Sequence, residues 1–421
     1  MVNTIVRLAQ DFVGANNLNL LLPIGQFGTR STGGEDCASA RYIYTALNPL
    51  TRWIFPRADD SVLKYLEEDN VRIEPQWYCP VIPMILVNGC EGIGTGWCTK
   101  VLPYNPKEII RNVLRMIDGK SPQKMLPFYR NFTGTVRETS DRKFEISGVC
   151  TLKSSRRNAR SLQVEVSELP VGIWTQKYKE KVLDVLSRNN IITNYKELHT
   201  EDSVKFLLEI PKGTPNGLCS NNAAVSADER KQKLRKALKL DSVVGTSTMV
   251  LFDERNTLRK FDAIEEIFEV FFEVRRRKYI ERREHQKRQL QAKLRFFENQ
   301  YRFVEMLLNR ELIIEGKSRQ HIEEALRSRN FESDPLHTQQ DDDVNNNNGG
   351  GGNKSSAEFG YLLDMPLIRL TSEEAKSLCE RRDSKRVEMD QLEHIDWKIM
   401  WRDDLQNLLA VSGCFVKWSF L

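Results

Sequence analysis

An α+β chain of more than one domain is predicted by three observations. Strand-like segments, among them Gln163–Val166 and Val204–Ile210, alternate with helical stretches such as Thr175–Leu186 between Pro103 and about Lys260. No proline occurs between Pro215 and Pro335. Within that span Leu290, Leu294, Phe297, Tyr301, Val304 and Leu308 follow a 4-3-4-3-4 spacing, the seam of a long helix packed on another helix.

The elements follow in order. Val2, Ile5, Val6, Ala9 and Phe12 recur at helical spacing with no start signal before them, so the chain is expected to begin inside a helix. Gly, Asn and Thr then dominate through Gly34, which reads as loop. From Ser39 to Phe55 apolar residues return at three- and four-residue intervals around Tyr42, Leu47, Leu50 and Ile54, which puts Tyr42 at a loop-to-helix or loop-to-strand junction. The partner of the long helix lies past a tract of Asp, Asn and Gly from Asp341 to Ser356 that reads as a disordered insertion. Thr371-Ser372-Glu373-Glu374 is a capping box that opens a charged helix running through Leu392 and Ile399 toward Leu409, so the pair is expected to be an antiparallel coiled coil.

The 421 residues have room for two or three domains, and a hydrophobic content of 40% supplies their cores. A balance of 63 Lys+Arg against 58 Asp+Glu is too small to mark a nucleic-acid binder by itself, so the distribution of charge decides. Ten basic residues fall between Arg275 and Arg295 against Glu281 and Glu284, which reads either as a solvated helix face or as a phosphate-contacting or nuclear-import run. The eight cysteines show no C-x-x-C pair, so a reducing compartment is expected, with no zinc site and no disulfide framework. The longest apolar run, Val81–Val87, contains Pro83 and is too short to span a bilayer. A soluble, intracellular chain is the expectation.

Two strings carry chemistry. Gln26-Phe27-Gly28-Thr29-Arg30 and Gly33-Gly34 lead into Ser39-Ala40-Arg41-Tyr42-Ile43-Tyr44-Thr45. A phenol with a pKa of about 10 is a poor nucleophile at neutral pH until a cation or base stabilises its phenolate, and Arg41 is the adjacent cation. A guanidinium also suits the charge that builds on phosphoryl oxygens during attack. Taken alone, an Arg-Tyr pair is more often surface decoration. The second string is Asn88-Gly89-Cys90-Glu91-Gly92-Ile93-Gly94-Thr95-Gly96-Trp97. It lacks the spacing and the acidic partner of a nucleotide-binding loop, so its glycines read either as close backbone approach to DNA with an apolar wedge, or as a tight hairpin with Ile93 in the core.

Together these strings resemble the breakage-reunion core of the eukaryotic type IIA DNA topoisomerases. The likeness extends through Glu168-Leu169-Pro170-Val171-Gly172-Ile173-Trp174-Thr175-Gln176, Tyr195–Thr200 and Phe359–Leu367. The resemblance implies a partial winged-helix domain at 1–102, a mixed α/β tower domain at 103–258, and a coiled coil with a C-terminal dimer gate at 259–421, interrupted by the insertion at 339–356. It implies that Tyr42 cleaves DNA through a 5′-phosphotyrosyl intermediate, that Arg41 assists it, that Arg30 contacts DNA and that Ile93 wedges into the duplex. A nuclear homodimer acting on double-stranded DNA would follow, using Mg2+ and ATP. The Glu and Asp-x-Asp metal cluster and the ATPase unit of that family are absent from these residues, so the chain reads as a diverged partial copy, a fragment of a longer gene product, or a unit whose metal-binding and ATPase parts come from a separate chain. Asp59-Asp60 and Asp341-Asp342-Asp343 lack the ligand spacing and read as solvated charge. Ala40 stands where some members have proline, which loosens the backbone before Tyr42. The competing reading is a non-catalytic, dimerising DNA-binding fragment of the same scaffold.

Overall fold

The computed structural model describes residues 1–69, 71–140, 142–153, 161–211, 227–336, 358–366 and 371–415. The low-complexity insertion expected at 339–356, with Asp341–Asp343, lies outside them. Two compact units emerge: one from Met1–Arg57, Tyr78–Arg275 and Asp404–Leu421, the other from Ala58–Trp77 and Arg276–Asp403.

The first unit is mixed α and β. Strands Val149–Lys153, Ser161–Glu168, Phe206–Pro211 and Asn194–Glu197 form one antiparallel sheet in that order. Phe206 pairs with Val166 and Leu208 with Val164, so their side chains share one face. That face is apolar. It is buried with Tyr178, Val182, Leu183 and Leu186 of the helical stretch from Thr175 to Arg188, and with Leu234 of helix Ala227–Ala237. A second antiparallel sheet joins Thr135–Ser140, Lys143–Ser147 and Asp241–Gly245, and hairpins pair Met249–Phe252 with Leu258–Phe261 and Cys90–Ile93 with Cys98–Val101.

At the start of the chain, helix Val2–Ala9 matches its apolar spacing. The segment Ser39–Phe55 departs from the helical spacing read in it. One 3₁₀ turn, Ala40–Tyr42, is followed by extended backbone, and an α-helix begins only at Thr51. The reason is a competing ladder: Ile24 and Tyr44 exchange both backbone hydrogen bonds, while Leu22 N–H reaches the Ala46 carbonyl and Asn48 N–H the Leu20 carbonyl. Segments 20–24 and 44–48 satisfy each other, and Tyr42 and Leu47 are both exposed.

In the second unit, the part of helix Ile264–Leu308 that follows Arg276 pairs with helix Ser372–His394. Lys287 Nζ lies 3.2 Å from Glu393 Oε1, Arg283 donates to the Glu393 carbonyl, and the Arg382 guanidinium sits 5.1 Å from the Tyr301 ring centre. Rising numbers on one helix meet falling numbers on the other, so the pair is antiparallel. Thr371 caps the second helix by accepting from Glu374 N–H. The seam is turned from the one read in sequence. Leu308 is exposed and Leu290, Leu294, Phe297 and Tyr301 are half-buried, whereas His285, Ala292, Asn299, Gln300 and Phe303 are buried with Val304. Polar residues occupy much of the inner stripe, which is why an apolar count missed it. The expected continuous helix instead stops at His394, where Ile395 turns extended, and a new helix, Trp397–Phe415, starts after Asp396, whose carboxylate accepts from Trp397 N–H.

The basic run is partly consumed by this packing. Lys278 donates to the Val62 carbonyl and to Glu281, and Arg282 pairs with Asp59 at 3.6 Å with both side chains nearly sealed. Asp59, read from sequence as solvated, is buried, because the long helix brings a guanidinium to it. Beyond the helix pair, Phe303, Leu312, Leu326, Phe331, Phe359 and Leu362 close a separate small core.

Candidate active site

The loop from Phe27 to Ala38 is held by its own polar side chains before it delivers the turn that carries Tyr42. Thr29 donates to Asp36 twice, from N–H at 2.8 Å and from Oγ1 at 2.6 Å, and the Thr32 hydroxyl donates to the same carboxylate at 2.5 Å. Burial pushes the Asp36 carboxyl up, but these donors outweigh it and hold the group below the usual carboxylate range. Gly33 and Gly34 N–H groups both donate to the Thr29 carbonyl. The tight wrap requires glycine: Gly33 has φ +78°, and a Cβ there would lie 2.2 Å from the Trp174 indole.

The same loop is fastened to the segment that follows the sheet strand Ser161–Glu168. Gln176 N–H donates to the Ser31 carbonyl, and Lys177 pairs with Glu35 at 3.3 Å. Arg30 is buried there, 4% exposed, with Nη2 bonded to Glu168 Oε1 and to the Leu169 carbonyl. The DNA contact expected of Arg30 does not fit this placement: its guanidinium is an internal anchor. Glu168, read in sequence only as part of a matched string, is 3% exposed and is the residue that sequence reasoning missed.

From Ala38, whose N–H donates to the Gln26 carbonyl, the chain enters the 3₁₀ turn closed by Tyr42 N–H on the Ser39 carbonyl. Ile43 packs back on the cluster of Val6, Ala9 and Phe27. Tyr42 does the opposite. Its side chain is 70% exposed, and the exposed Arg41 guanidinium carbon lies 5.8 Å from the centre of its ring. A phenol that projects from an anchored turn beside a guanidinium has access to an incoming phosphodiester.

Ile93 sits at the end of the Cys90–Ile93 strand, where Gly94 N–H closes the turn on the Trp97 carbonyl at 2.8 Å. The tight hairpin is present, but Ile93 is 93% exposed and is not part of a core. Among the described residues no three His, Cys, Asp or Glu side chains gather as a metal site. They therefore do not supply the acidic cluster that Mg2+ would need. No helix of the described residues is long and apolar enough to cross a membrane.

A family model for the A-type subunit of DNA gyrase/topoisomerase IV matches residues 1–406. The chain belongs to that family. DNA topoisomerase 2 top-2 of Caenorhabditis elegans is 38% identical over 97% of the chain, and a putative mitochondrial DNA topoisomerase 2 of the same organism is 42% identical over 98%. The chain spans only 28% and 34% of the length of these topoisomerases. A crystal structure of the DNA-binding, cleavage and re-ligation domain of Plasmodium falciparum topoisomerase II aligns over 99% of the chain and 56% of its own, with TM-score 0.80 and 31% identity. The topoisomerase fold therefore extends across nearly all of this chain.

Proposed function

We propose that this chain is the part of a type II DNA topoisomerase that cuts and reseals the duplex, with Tyr42 as nucleophile. The observation that carries the reading is the exposure of Tyr42 at the end of an otherwise anchored loop, beside Arg41. The Tyr42 oxygen attacks a backbone phosphorus as its phenol proton departs. The bond to the 3′ oxygen breaks, that oxygen leaves as a hydroxyl, and a 5′-phosphotyrosyl ester remains. Religation is the reverse attack, so no phosphodiester is hydrolysed overall. Arg41 binds the non-bridging oxygens as charge builds on them. Ile93 enters a base step and bends the duplex.

The domain division at 1–102, 103–258 and 259–421 belongs to the same reading, as do the exit gate near Leu312–Ala325 and a homodimer in which two copies of Tyr42 cut opposite strands. ATP-driven passage of a second duplex and decatenation of chromosomes rest on parts outside these residues. Mg2+ would supply charge neutralisation at the phosphodiester, and no ligand set for it gathers among the described residues. A nuclear location goes with the chromosomal role, and fluorescence imaging of the tagged protein separates it from the address of the mitochondrial relative.

The test is a covalent adduct. Mixed with the metal-binding part of a relative, magnesium and supercoiled DNA, the chain should be trapped on DNA by detergent, and Tyr42→Phe should abolish the trapping; an adduct that persists in the variant overturns the assignment. The second reading, a non-catalytic DNA-binding and dimerising fragment, is favoured by the lack of a gathered acidic cluster among the described residues. It calls for DNA binding with no adduct in either protein.

A further inference from the structure

The carboxylate of Glu168 lies almost out of contact with water, yet both of its oxygens are fully engaged. Oε1 accepts from Arg30 Nη2 and from Leu169 N–H at 3.0 Å, and Oε2 accepts from Thr133 N–H at 3.1 Å and Thr133 Oγ1 at 2.9 Å. Arg30 and Glu168 side chains are 5% and 3% exposed. Two charges withdrawn from water to this degree are tolerated only with such pairing, and an apolar pair of similar volume is often as stable but carries no directional bonds to the loop. A buried ion pair of this kind fixes geometry more than it adds stability.

The geometry it fixes leads to Tyr42 in short steps. Arg30 follows Thr29, whose N–H and hydroxyl both seize Asp36 and whose carbonyl receives Gly33 and Gly34 N–H. After Asp36, Cys37 packs with Ile43 on the Phe27 cluster, and Ala38 is pinned to Gln26. The turn Ala40–Tyr42 lies between these two packed residues. Within it Tyr42 N–H on Ser39 is a bond internal to the turn, so the position of the turn is inherited from its flanks.

We propose that Glu168 is the positioning residue of the Tyr42 turn, acting through Arg30 on the loop from Thr29 to Ala38. The proposal rests on the reading of Tyr42 as nucleophile for its effect on rate, but not for its effect on the loop. Glu168 touches neither substrate nor the reacting atoms. It ties the nucleophile to the end of the strand Ser161–Glu168, so that a displacement of that strand end moves the phenol relative to a bound phosphodiester.

Two measurements decide it. Amide hydrogen exchange on the whole chain without DNA should show residues 29–44 exchanging at least about tenfold faster in Glu168→Gln, while strands Ser161–Glu168 and Phe206–Pro211 keep their protection. The adduct assay should then show cleavage slower by about 10²-fold at saturating DNA with duplex affinity retained, the cost of a misplacement near 1 Å. Glu168→Asp should recover part of both effects. If Glu168→Gln does not fold, Arg30→Lys provides the same comparison, since it keeps the charge and loses the planar donor set. Unchanged loop exchange in a folded variant overturns the proposal, as does a loosened loop with an undiminished cleavage rate. Failure of the Tyr42 reading looks different: Tyr42→Phe would still form an adduct, whatever the loop does.

Discussion

Thr29 and Asp36 are joined by two hydrogen bonds across seven residues, from the Thr29 N–H and from its hydroxyl, and the bonds close the glycine-rich loop before it reaches Tyr42. They favour the ionised carboxylate, so the folded-state pKa of Asp36 is depressed below its unfolded value. The contribution to stability is therefore fully present above about pH 4, where the unfolded carboxyl titrates, and is lost as pH falls through the depressed folded value. Asp36→Asn should remove this component from the acid limb of a thermal-unfolding profile, with little change in its slope above pH 6. An acid limb identical in both proteins would show that the donors do not favour the charged form.

Arg41→Ala should lower the rate of adduct formation by about 10²–10³-fold, the usual effect of losing one donor to transition-state charge. Duplex affinity at fixed salt should change little, because many phosphate contacts share it. A loss confined to affinity would make Arg41 a binding residue.

Ile93→Ala should reduce the bend of a short duplex, read by energy transfer between its ends, far more than it reduces affinity. Equal bending by both proteins would leave the exposed isoleucine without a role in shaping DNA.

Gly33→Ala forces a Cβ into the Trp174 ring at a backbone conformation that L-residues seldom adopt. Left-handed strain alone costs about 1–3 kcal/mol, and the clash adds to it. Chemical denaturation should record a loss of at least that size. A neutral substitution would mean that Trp174 moves aside freely.

Leu326→Ala removes a fully buried side chain from the small core formed with Phe303, Leu312 and Phe331. A loss of about 2–5 kcal/mol is expected for that core. Sedimentation should show dimer formation weakened in the variant if the same core supports the exit gate, and a dimer of unaltered affinity would place the contact between copies elsewhere.

The strings around Tyr42 and Ile93 were legible in sequence because their glycines and apolar residues occupy neighbouring positions, and the structure puts both side chains in the open. The alternating strands and the Thr371 cap were legible for the same local reason. What escaped was long-range pairing. Glu168 precedes Leu-Pro at the end of an alternating strand and looks like an ordinary solvated acid, yet its partners Arg30 and Thr133 lie 138 and 35 residues away. Asp59 was hidden likewise by its distance from Arg282. In the long helix, the inner stripe includes His285, Asn299 and Gln300, of which Gln300 donates to the Tyr361 carbonyl, so no hydropathy pattern could mark it.

The Cys90–Ile93 hairpin has a colloidal consequence. Its strands of four residues pair with each other and hold an isoleucine side chain almost wholly in water. Covering such a side chain releases about 1.5–3 kcal/mol, whatever does the covering. One side chain of that size is too little to offset the cost of bringing two copies together, so concentrated protein without nucleic acid should stay dispersed, and light scattering should not distinguish it from Ile93→Ser.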